Sequence, residues 1–250
     1  MPGTWTMADP HLVGPVLLMI GGLDQCVDVV AESPNTHIHF VNAYTIALAD
    51  AHPQYADLLN TGICFTDGVP VAWVGRRGYG IAQDEWARVY GPDVMEAVLR
   101  RGGRHYLVGG TGATLAALRE QIGLRWPQVE VAGAESPPFR ALTTAERIAQ
   151  DARIRAASPD FVWVGLGTPK QDWEAARITA ATGVTALAVG AAFDFIAGTK
   201  PQAPVWMQRS GTEWAFRLAS EPRRLTRRYL WGNPRFLMAA ARTPGLGRGG

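Results

Sequence analysis

The sequence has few cysteines, almost no lysine and no apolar run long enough to cross a membrane. Cys26 and Cys64 stand alone, without the spacings of a zinc site or a disulfide framework, and this usage fits a reducing cytoplasm best. The apolar stretch at residues 12–23 is interrupted by Gly and Pro and falls short of the ~20 residues that a spanning helix needs. It also lacks the basic start and the cleavage site of a signal peptide. We therefore interpret it as the entering strand of the core and expect any membrane contact to be peripheral.

Three familiar ligand-binding motifs are also missing. There is no Walker motif, and the glycines at residues 109–115 (GGTGATL) do not have the G-x-G-x-x-G spacing of a dinucleotide-binding turn. No acidic residue ends a strand ~20 residues later, where such a fold contacts ribose. A D-x-D pair that would hold a divalent metal on phosphates is absent too. The sequence therefore disfavours NAD binding and favours chemistry without a metal or cofactor.

The charges that are present are unevenly distributed. Residues 201–250 contain nine arginines and two glutamates, a local net charge of +7, so the first 200 residues carry −5 of the total of +2. A basic carboxy-terminal segment indicates a negatively charged partner, either a membrane surface or a phosphate-bearing substrate. With 250 residues and 47% hydrophobic content, the chain is predicted to form an α/β core at 1–204 and a basic helical appendage at 205–250.

Repeated strand-turn-helix units predict the fold class. Short apolar strands are expected at His37–Val41, Ile63–Phe65, His105–Val108, Val129–Val131, Phe161–Val164 and Thr185–Val189. Units of this kind predict a mainly parallel, Rossmann-like sheet with helices on both faces. Val69–Val74 is expected to be a short helix followed by a loop at Gly75–Glu85. Residues 143–146 contain a capping-box pattern that is expected to open a helix running to about Ala157. Pro222 and Pro234 are expected to divide the appendage into short helices.

Ligands of such sheets bind beyond the carboxyl ends of the strands. The segments that this rule should bring together are Asn42, Thr66–Gly68, Gly109–Gly112, Gly165–Gln171 and Gly190–Gly198 with Asp194. In Gly165–Gln171 the glycines allow a close approach of the backbone, Pro169 suits the first helical position, and Lys170 adds a cation beside free helix amides. The turn is predicted to bind an anion such as a diphosphate, and the alternative is a plain strand-to-helix turn.

Asp67 is the outstanding candidate for acid-base chemistry. It comes directly after a buried strand, where a carboxylate is partly desolvated and close to a cleft, as a general base requires. The alternative is that Asp67 only caps the following helix. The same choice between a cap or turn residue and a functional one applies to Asn42 and Asp194.

Six segments in order resemble the WecG/TagA/CpsF glycosyltransferases, glycosyltransferase family 26, which includes the teichoic-acid N-acetylmannosaminyltransferases. They are VNAYTIALA (Val41–Ala49), TDGVPV (Thr66–Val71), RVYGPDVM (Arg88–Met95), VGLGTPKQDW (Val164–Trp173), GAAFDFIAGTKPQAP (Gly190–Pro204) and EWAFRLASEPRRLTRRYL (Glu213–Leu230). The resemblance extends from about Leu18 to Leu237. Each segment is weak by itself, and their order makes the match specific.

The resemblance implies an inverting, metal-independent transfer of a sugar from a UDP donor to a polyprenyl-diphosphate-linked sugar at the cytoplasmic face of the plasma membrane. It implies that Asp67 is the base, with Asn42 and Arg88 as further catalytic residues. The donor contacts that it implies are Gly109, Gly110, Gln171 and Asp194. The anion-binding turn adds Gly167, Pro169 and Lys170 as predicted donor contacts. Arginines that would close over the diphosphate at the membrane are Arg217, Arg224 and Arg227 or Arg228.

Two positions depart from the family pattern, and several properties stay open. Phe40 stands where many relatives carry threonine, and Asp172 replaces the usual glutamate of the P-K-Q-E run. The resemblance implies N-acetylmannosamine or a related hexose as the transferred sugar. A homo-oligomer is possible, and we expect no nucleic-acid partner. The alternative functions are a Rossmann-type nucleotide-dependent oxidoreductase and a non-catalytic nucleotide-sugar binding protein.

Overall fold

A computed structural model describes residues 10–246, apart from the side chains of Val205, Gln208, Arg209 and Arg224. The strands in this range are β1 (His11–Val13), β2 (Val16–Leu18), β3 (His37–Val41), β4 (Ile63–Thr66), β5 (Gly103–Gly109), β6 (Val129–Glu135), β7 (Phe161–Gly165) and β8 (Thr185–Ala188). The helices are α1 (Leu23–Glu32), α2 (Ala43–Ala51), α3 (Pro53–Asn60), α4 (Val69–Tyr79), α5 (Gly91–Arg100), α6 (Gly112–Arg125), α7 (Thr144–Ala157), α8 (Lys170–Thr182), α9 (Ala192–Ile196), α10 (Val205–Ser210), α11 (Glu213–Ser220) and α12 (Pro222–Ala240).

Six strands form one parallel sheet in the order β4-β3-β8-β7-β5-β6. In the pairing of β5 with β7, His105 lies opposite Phe161 and Val108 lies opposite Val164. Val164 and its two predecessors in β7 are fully buried, as predicted for a continuously apolar strand. The parallel sheet and its interleaved helices confirm the predicted α/β, Rossmann-like fold.

The chain divides into two compact units. The first comprises the residues up to Gln25, Phe40–Val89 and the residues from Ala203 onwards, and the second comprises Cys26–His39 and Tyr90–Gln202. The basic carboxy-terminal helices thus belong to the same unit as α2 and α4. The predicted division between core and appendage at residue 204 stays a prediction.

The core of the first unit is built around α2. Ile46 and Ala47 of this helix are fully buried and pack in one cluster with Phe236 from α12. At the end of α2, the side chain of Asp50 is only 8% exposed and pairs with Arg235 at 3.2 Å and with Arg242 at 2.9 Å. Apolar packing and a bridging carboxylate therefore hold α12 on α2.

The prediction that residues 12–23 form the entering strand of the core was wrong. This segment contributes to an antiparallel hairpin, in which β1 pairs with β2 and Val13 lies opposite Val16. Gly14 turns the chain with a φ of +56°, a conformation that glycine adopts at little cost, and Pro15 follows it. The hairpin forms its own two-stranded sheet.

The predicted loop after Val74 was also wrong, because α4 continues to Tyr79. Gly75 lies inside the helix against the Trp86 ring, and a Cβ atom at this position would lie 2.4 Å from that ring. The glycine is therefore needed for close packing and does not end the helix. Helix α3 (Pro53–Asn60) was not predicted at all.

Pro234 does not divide the carboxy-terminal segment as predicted. Pro222 begins α12, but the helix continues past Pro234 to Ala240. Phe236, Ala239 and Ala240 are all buried after the proline. Their packing in the core of the first unit compensates for the backbone hydrogen bond that a proline cannot donate.

The second unit has a separate core between its strands and helices. Val108 and Val164 of the sheet pack with Ile154 of α7 and Ile178 of α8. The predicted capping box at the start of α7 is confirmed, since Thr143 and Glu146 each hydrogen-bond the other's backbone N–H. Between residues 10 and 246, no helix is both long enough and apolar enough to cross a membrane.

Candidate functional site

Asp67 directly follows β4 and precedes α4 in the first unit. Its backbone N–H donates to the carbonyl of Val41 at 2.8 Å, which fixes Asp67 beside the end of β3. The N-cap residue of α4 is Gly68, so capping this helix is not the role of Asp67. The position at a strand end is the one that the sequence predicted for a functional carboxylate.

Two arginines and a glutamate surround Asp67. Arg88 donates from Nε to the backbone carbonyl of Asp67 at 2.6 Å, and its Nη2 lies 3.8 Å from Asp67 Oδ1. The same Nη2 donates to Glu213 at 2.7 Å. Arg217 Nη2 lies 2.6 Å from the other oxygen of Glu213. The structure thus brings the predicted residues Arg88 and Arg217 together with Asp67.

The carboxyl group of Asp67 is strongly desolvated. Its Oδ1 is buried and accepts no hydrogen bond from the described residues, while the side chain as a whole keeps 19% exposure. Burial raises the pKa of Asp67 above its ordinary value of 3.8, and it outweighs the opposing effects of Arg88 and Arg217. A carboxylate with this environment holds a proton more readily than an exposed one, which suits a general base.

Asn42 caps α2 and also faces the carboxyl group of Asp67. Its Oδ1 accepts from the backbone N–H groups of Tyr44 at 3.1 Å and Thr45 at 3.3 Å, so it is the predicted N-cap of α2. The Asn42 side chain also faces the Asp67 carboxyl group and lowers its pKa. Arg228 donates to Asn42 Oδ1 at 3.2 Å, and its guanidinium lies 4.0 Å from the centre of the Tyr44 ring. Capping therefore places Asn42 between Asp67 and α12.

The four predicted arginines of the carboxy-terminal segment have different positions. Arg217 and Arg228 contact the residues around Asp67, as described, whereas Arg227 is exposed on α12. The side chain of Arg224 lies outside the described residues. Sequence reasoning missed Glu213, although its spacing of four residues from Arg217 is a recognisable helical ion-pair signal. Its contact with Arg88 joins residues 125 positions apart and has no local signal.

Two glycine turns meet in the second unit. Gly109 ends β5 with a φ of +131°, and a Cβ atom there would lie 2.4 Å from the carbonyl oxygen of Gly165. Gly110 donates its N–H to the same oxygen at 3.2 Å. The Phe193 ring packs against Gly165, which brings α9 to the two turns. The donor-binding role predicted for Gly109 and Gly110 stays a prediction.

The side chain of Gln171 closes the second turn. It is buried, its Oε1 accepts from the Gly167 N–H at 3.0 Å, and its Nε2 donates to the Ala188 carbonyl at 3.1 Å. These bonds give Gln171 a part in shaping the turn, and its predicted contact with the donor stays a prediction. Gly167 is exposed with a φ of +78°, and Lys170 is exposed at the start of α8. Pro169 was predicted at the first position of the helix, but it is the N-cap residue, and α8 begins one residue later.

The acidic residue after Gln171 anchors the start of α8. Asp172 is buried, and its Oδ1 lies 2.9 Å from Nδ1 of His39, which is fully buried in β3. His39 Nε2 in turn lies 2.7 Å from His37 Nδ1. Burial, followed by the charge of His39, lowers the pKa of His37 to about 4. Asp172 is therefore part of a buried polar chain with His39 and His37.

Asp194 on α9 is engaged within its own segment. Its carboxylate accepts from the hydroxyl of Thr199 at 3.2 Å and pairs with Lys200 at 3.1 Å. These contacts agree with the alternative interpretation of Asp194 as a turn residue, and a role in donor binding stays a prediction.

Each of the two units contributes a different kind of chemical group. The first unit provides a desolvated carboxylate with arginines, and the second provides glycine turns before α6 and α8, whose N-termini favour anions. Among the described residues, no group of three or more His, Cys, Asp or Glu side chains is arranged to hold a metal ion.

The sequence model of the Glycosyl transferase WecG/TagA/CpsF family matches residues 18–248. This match covers nearly the whole chain, and the protein therefore belongs to the WecG/TagA/CpsF family of glycosyl transferases.

Proposed function

We propose that the protein is an inverting, metal-independent glycosyltransferase that moves a sugar from a UDP donor to a polyprenyl-diphosphate-linked sugar. N-acetylmannosamine or a related hexose is the expected sugar. The observation that carries the proposal is the desolvated Asp67 carboxylate, which lies beside Asn42 and Arg88 in a member of a glycosyl transferase family. The reaction would take place in the cytoplasm at the inner face of the plasma membrane, in cell-surface polysaccharide synthesis.

Asp67 would act as the general base. It removes the proton of the acceptor hydroxyl while the hydroxyl oxygen attacks the anomeric carbon and UDP leaves from the opposite side. Direct displacement of this kind inverts the configuration at that carbon. The raised pKa of Asp67 supports the role, because a base whose pKa approaches the working pH accepts a proton more effectively.

The leaving UDP gains negative charge that must be stabilised. In the second unit, Gly110 and Gly167 adopt left-handed conformations. Such conformations would let the backbone approach a ligand at the N-termini of α6 and α8. Arginine is suited to the same task because its planar fork binds phosphate oxygens in pairs. Amides and guanidinium groups could therefore replace the metal ion that many transferases use.

The acceptor side of the proposal rests on the carboxy-terminal helices. They belong to the segment at residues 201–250, whose local charge is +7, and they expose apolar side chains at Trp206, Trp214, Leu230 and Leu237. A helix with such a composition binds at the headgroup region of an anionic membrane. A lipid-linked diphosphate acceptor would be presented at the same surface.

The test is transfer from a panel of UDP-sugars to a detergent-solubilised polyprenyl-diphosphate-linked sugar, with and without EDTA. We expect turnover with at least one donor, undiminished by EDTA, and a loss of about 10²–10⁴-fold in kcat for Asp67→Asn. Asp57→Asn is the matched control, since Asp57 is an exposed aspartate of α3 in the same unit.

Other outcomes would contradict the proposal. Full activity of Asp67→Asn would exclude Asp67 as the base. Binding of UDP without turnover for any donor would favour a nucleotide-sugar binding protein. Thermal stabilisation by NAD(P) and not by UDP would favour an oxidoreductase.

A further inference from the structure

Glu213 is a nearly buried acid in a strongly basic segment. It lies in the first turn of α11 and is 9% exposed. Each of its carboxylate oxygens contacts a different arginine: Oε2 is 2.7 Å from Arg88 Nη2, and Oε1 is 2.6 Å from Arg217 Nη2. Its charge is thus shared between an arginine of its own helix and one that lies 125 residues away in sequence.

Glu213 and Asp67 compete for the same guanidinium group. Arg88 Nη2 lies at hydrogen-bond distance from Glu213 but 3.8 Å from Asp67 Oδ1, which is too far for a hydrogen bond. The Nε atom of Arg88 is meanwhile fixed on the Asp67 backbone carbonyl at 2.6 Å. The guanidinium group is therefore held beside Asp67 while its Nη2 is bonded to Glu213.

This arrangement matters because a direct arginine partner weakens a base. At 3.8 Å the charge of Arg88 already lowers the pKa of Asp67, and a direct hydrogen bond to the ionised carboxylate would lower it further. We propose that Glu213 is a positioning residue that draws Arg88 away from Asp67 and so keeps the Asp67 carboxylate ready to accept a proton. This inference rests on the proposed role of Asp67 as the general base.

In the described part of the chain, the groups that face Asp67 act on its pKa in opposite directions. They are the charged Arg88, Arg217 and Glu213 and the amide of Asn42, to which Arg228 donates. Glu213 raises the pKa of Asp67, and the two arginines lower it. In Glu213→Gln the negative charge is lost, and the weaker amide acceptor lets Arg88, still fixed through Nε, turn its Nη2 towards Asp67. Both changes lower the pKa of Asp67.

The experiment is a carboxyl-carbon NMR titration of the full chain labelled with ¹³C-aspartate, in which Asp67→Asn identifies the Asp67 signal. We expect Glu213→Gln to lower the pKa of Asp67 by about one unit or more. The low-pH limb of the kcat/KM profile should move to lower pH by a similar amount.

Asp50→Asn is the matched control. Asp50 also bridges two arginines, is equally well buried and lies in the same unit, but it does not face Asp67. We expect its substitution to lower the melting temperature and to leave the pKa of Asp67 unchanged. If Glu213 were only a structural bridge, Glu213→Gln would behave in the same way.

An unchanged or higher pKa of Asp67 in Glu213→Gln would overturn the inference. A wild-type Asp67 that titrates at or below 3.8 would also overturn it, even if Glu213→Gln does not fold. The titration needs no substrate, so the two proposals can fail separately. An absent shift with intact sugar transfer refutes the role of Glu213, whereas the expected shift without transfer from any donor refutes the proposed function.

Discussion

Asp67 is the residue whose charge state has the clearest consequence for stability. Burial raises its pKa above 3.8, so the folded protein binds this proton more tightly than the unfolded chain. Above this raised pKa the ionised carboxylate therefore destabilises the fold. As the pH falls through the raised pKa towards 3.8, that destabilisation disappears.

We expect Asp67→Asn to be at least as stable as the wild type at pH 7 while it loses transfer activity. The difference in melting temperature should shrink as the pH falls through the raised pKa of Asp67, because the wild-type carboxyl group then becomes neutral as well. Thermal unfolding measured from pH 3 to pH 8 tests this. A variant that is clearly less stable than the wild type at pH 7 would contradict the environment described for Asp67.

Glu146 provides a comparison of opposite sign. Hydrogen bonds from Arg140 and from the Thr143 backbone lower its pKa from 4.5 to about 2, so its contribution to stability is present above pH 4.5 and is lost between pH 4.5 and about 2. Glu146→Gln should therefore lower the melting temperature at pH 7, and this deficit should vanish near pH 2. The same unfolding series, extended down to pH 2, measures both variants.

At the scale of elements, the packing of Gly75 in α4 determines whether that helix can form. The Trp86 ring occupies the space of a side chain at this position, with ring atoms 2.4–2.8 Å from the place of a Cβ. We expect Gly75→Ala to destabilise the protein by about 1–3 kcal/mol, as is typical of overpacked cores. Urea unfolding provides the measurement.

Gly123→Ala is the matched control for this prediction. Gly123 lies in α6, and a Cβ atom added there would have no atom within 4 Å apart from the backbone of its own helix. Because alanine favours helix over glycine, this substitution should stabilise the protein by about 0.5–1 kcal/mol. Equal effects of the two substitutions would contradict the packing described for Gly75.

The elements also explain which predictions from sequence succeeded. The N-cap at Asn42 and the capping box at Thr143 depend on neighbours within three residues, and both were predicted correctly. Gly75 and Pro234 were taken as breaks because their intrinsic preferences oppose helix. Gly75 packs against Trp86, and the residues after Pro234 pack against α2. This packing outweighs the intrinsic preferences.

In the candidate site, too, residues with a local sequence signal were predicted, whereas contacts between distant residues were not. The strand-end rule identified Asp67 and the glycine turns, since each follows a recognisable apolar strand. The charge environment of Asp67 could not be predicted, because the Arg88–Glu213 contact joins residues 125 positions apart. The side-chain bonds of Gln171 to Gly167 and Ala188 likewise depend on the folded turn.

At the scale of the whole molecule, the distribution of apolar and basic side chains predicts reversible membrane binding. Leu230 and Leu237 are 74% and 66% exposed, and their spacing of seven residues places them on one face of α12. We expect binding to vesicles that contain phosphatidylglycerol, with an affinity that falls as salt screens the basic segment. Co-sedimentation at increasing ionic strength measures it.

The double variant Leu230→Ser/Leu237→Ser should bind these vesicles at least about tenfold more weakly, since each buried leucine contributes about 1.5–3 kcal/mol. Leu124→Ser is the control, because Leu124 is 71% exposed in α6 and lies outside the basic segment. Equal vesicle binding by the double variant and the wild type would exclude this face of α12 as the contact.

Both native thiols are inaccessible: Cys26 and Cys64 are buried, and burial raises the pKa of the Cys26 thiol. Thiolate is the form that reacts with maleimides, so neither residue should take up a fluorescent label in the folded protein. Cysteines introduced at the exposed positions 124 and 230 would then carry the only dyes. The wild-type background is thus ready for single-molecule energy-transfer measurements, one dye in each unit, without prior removal of native cysteines.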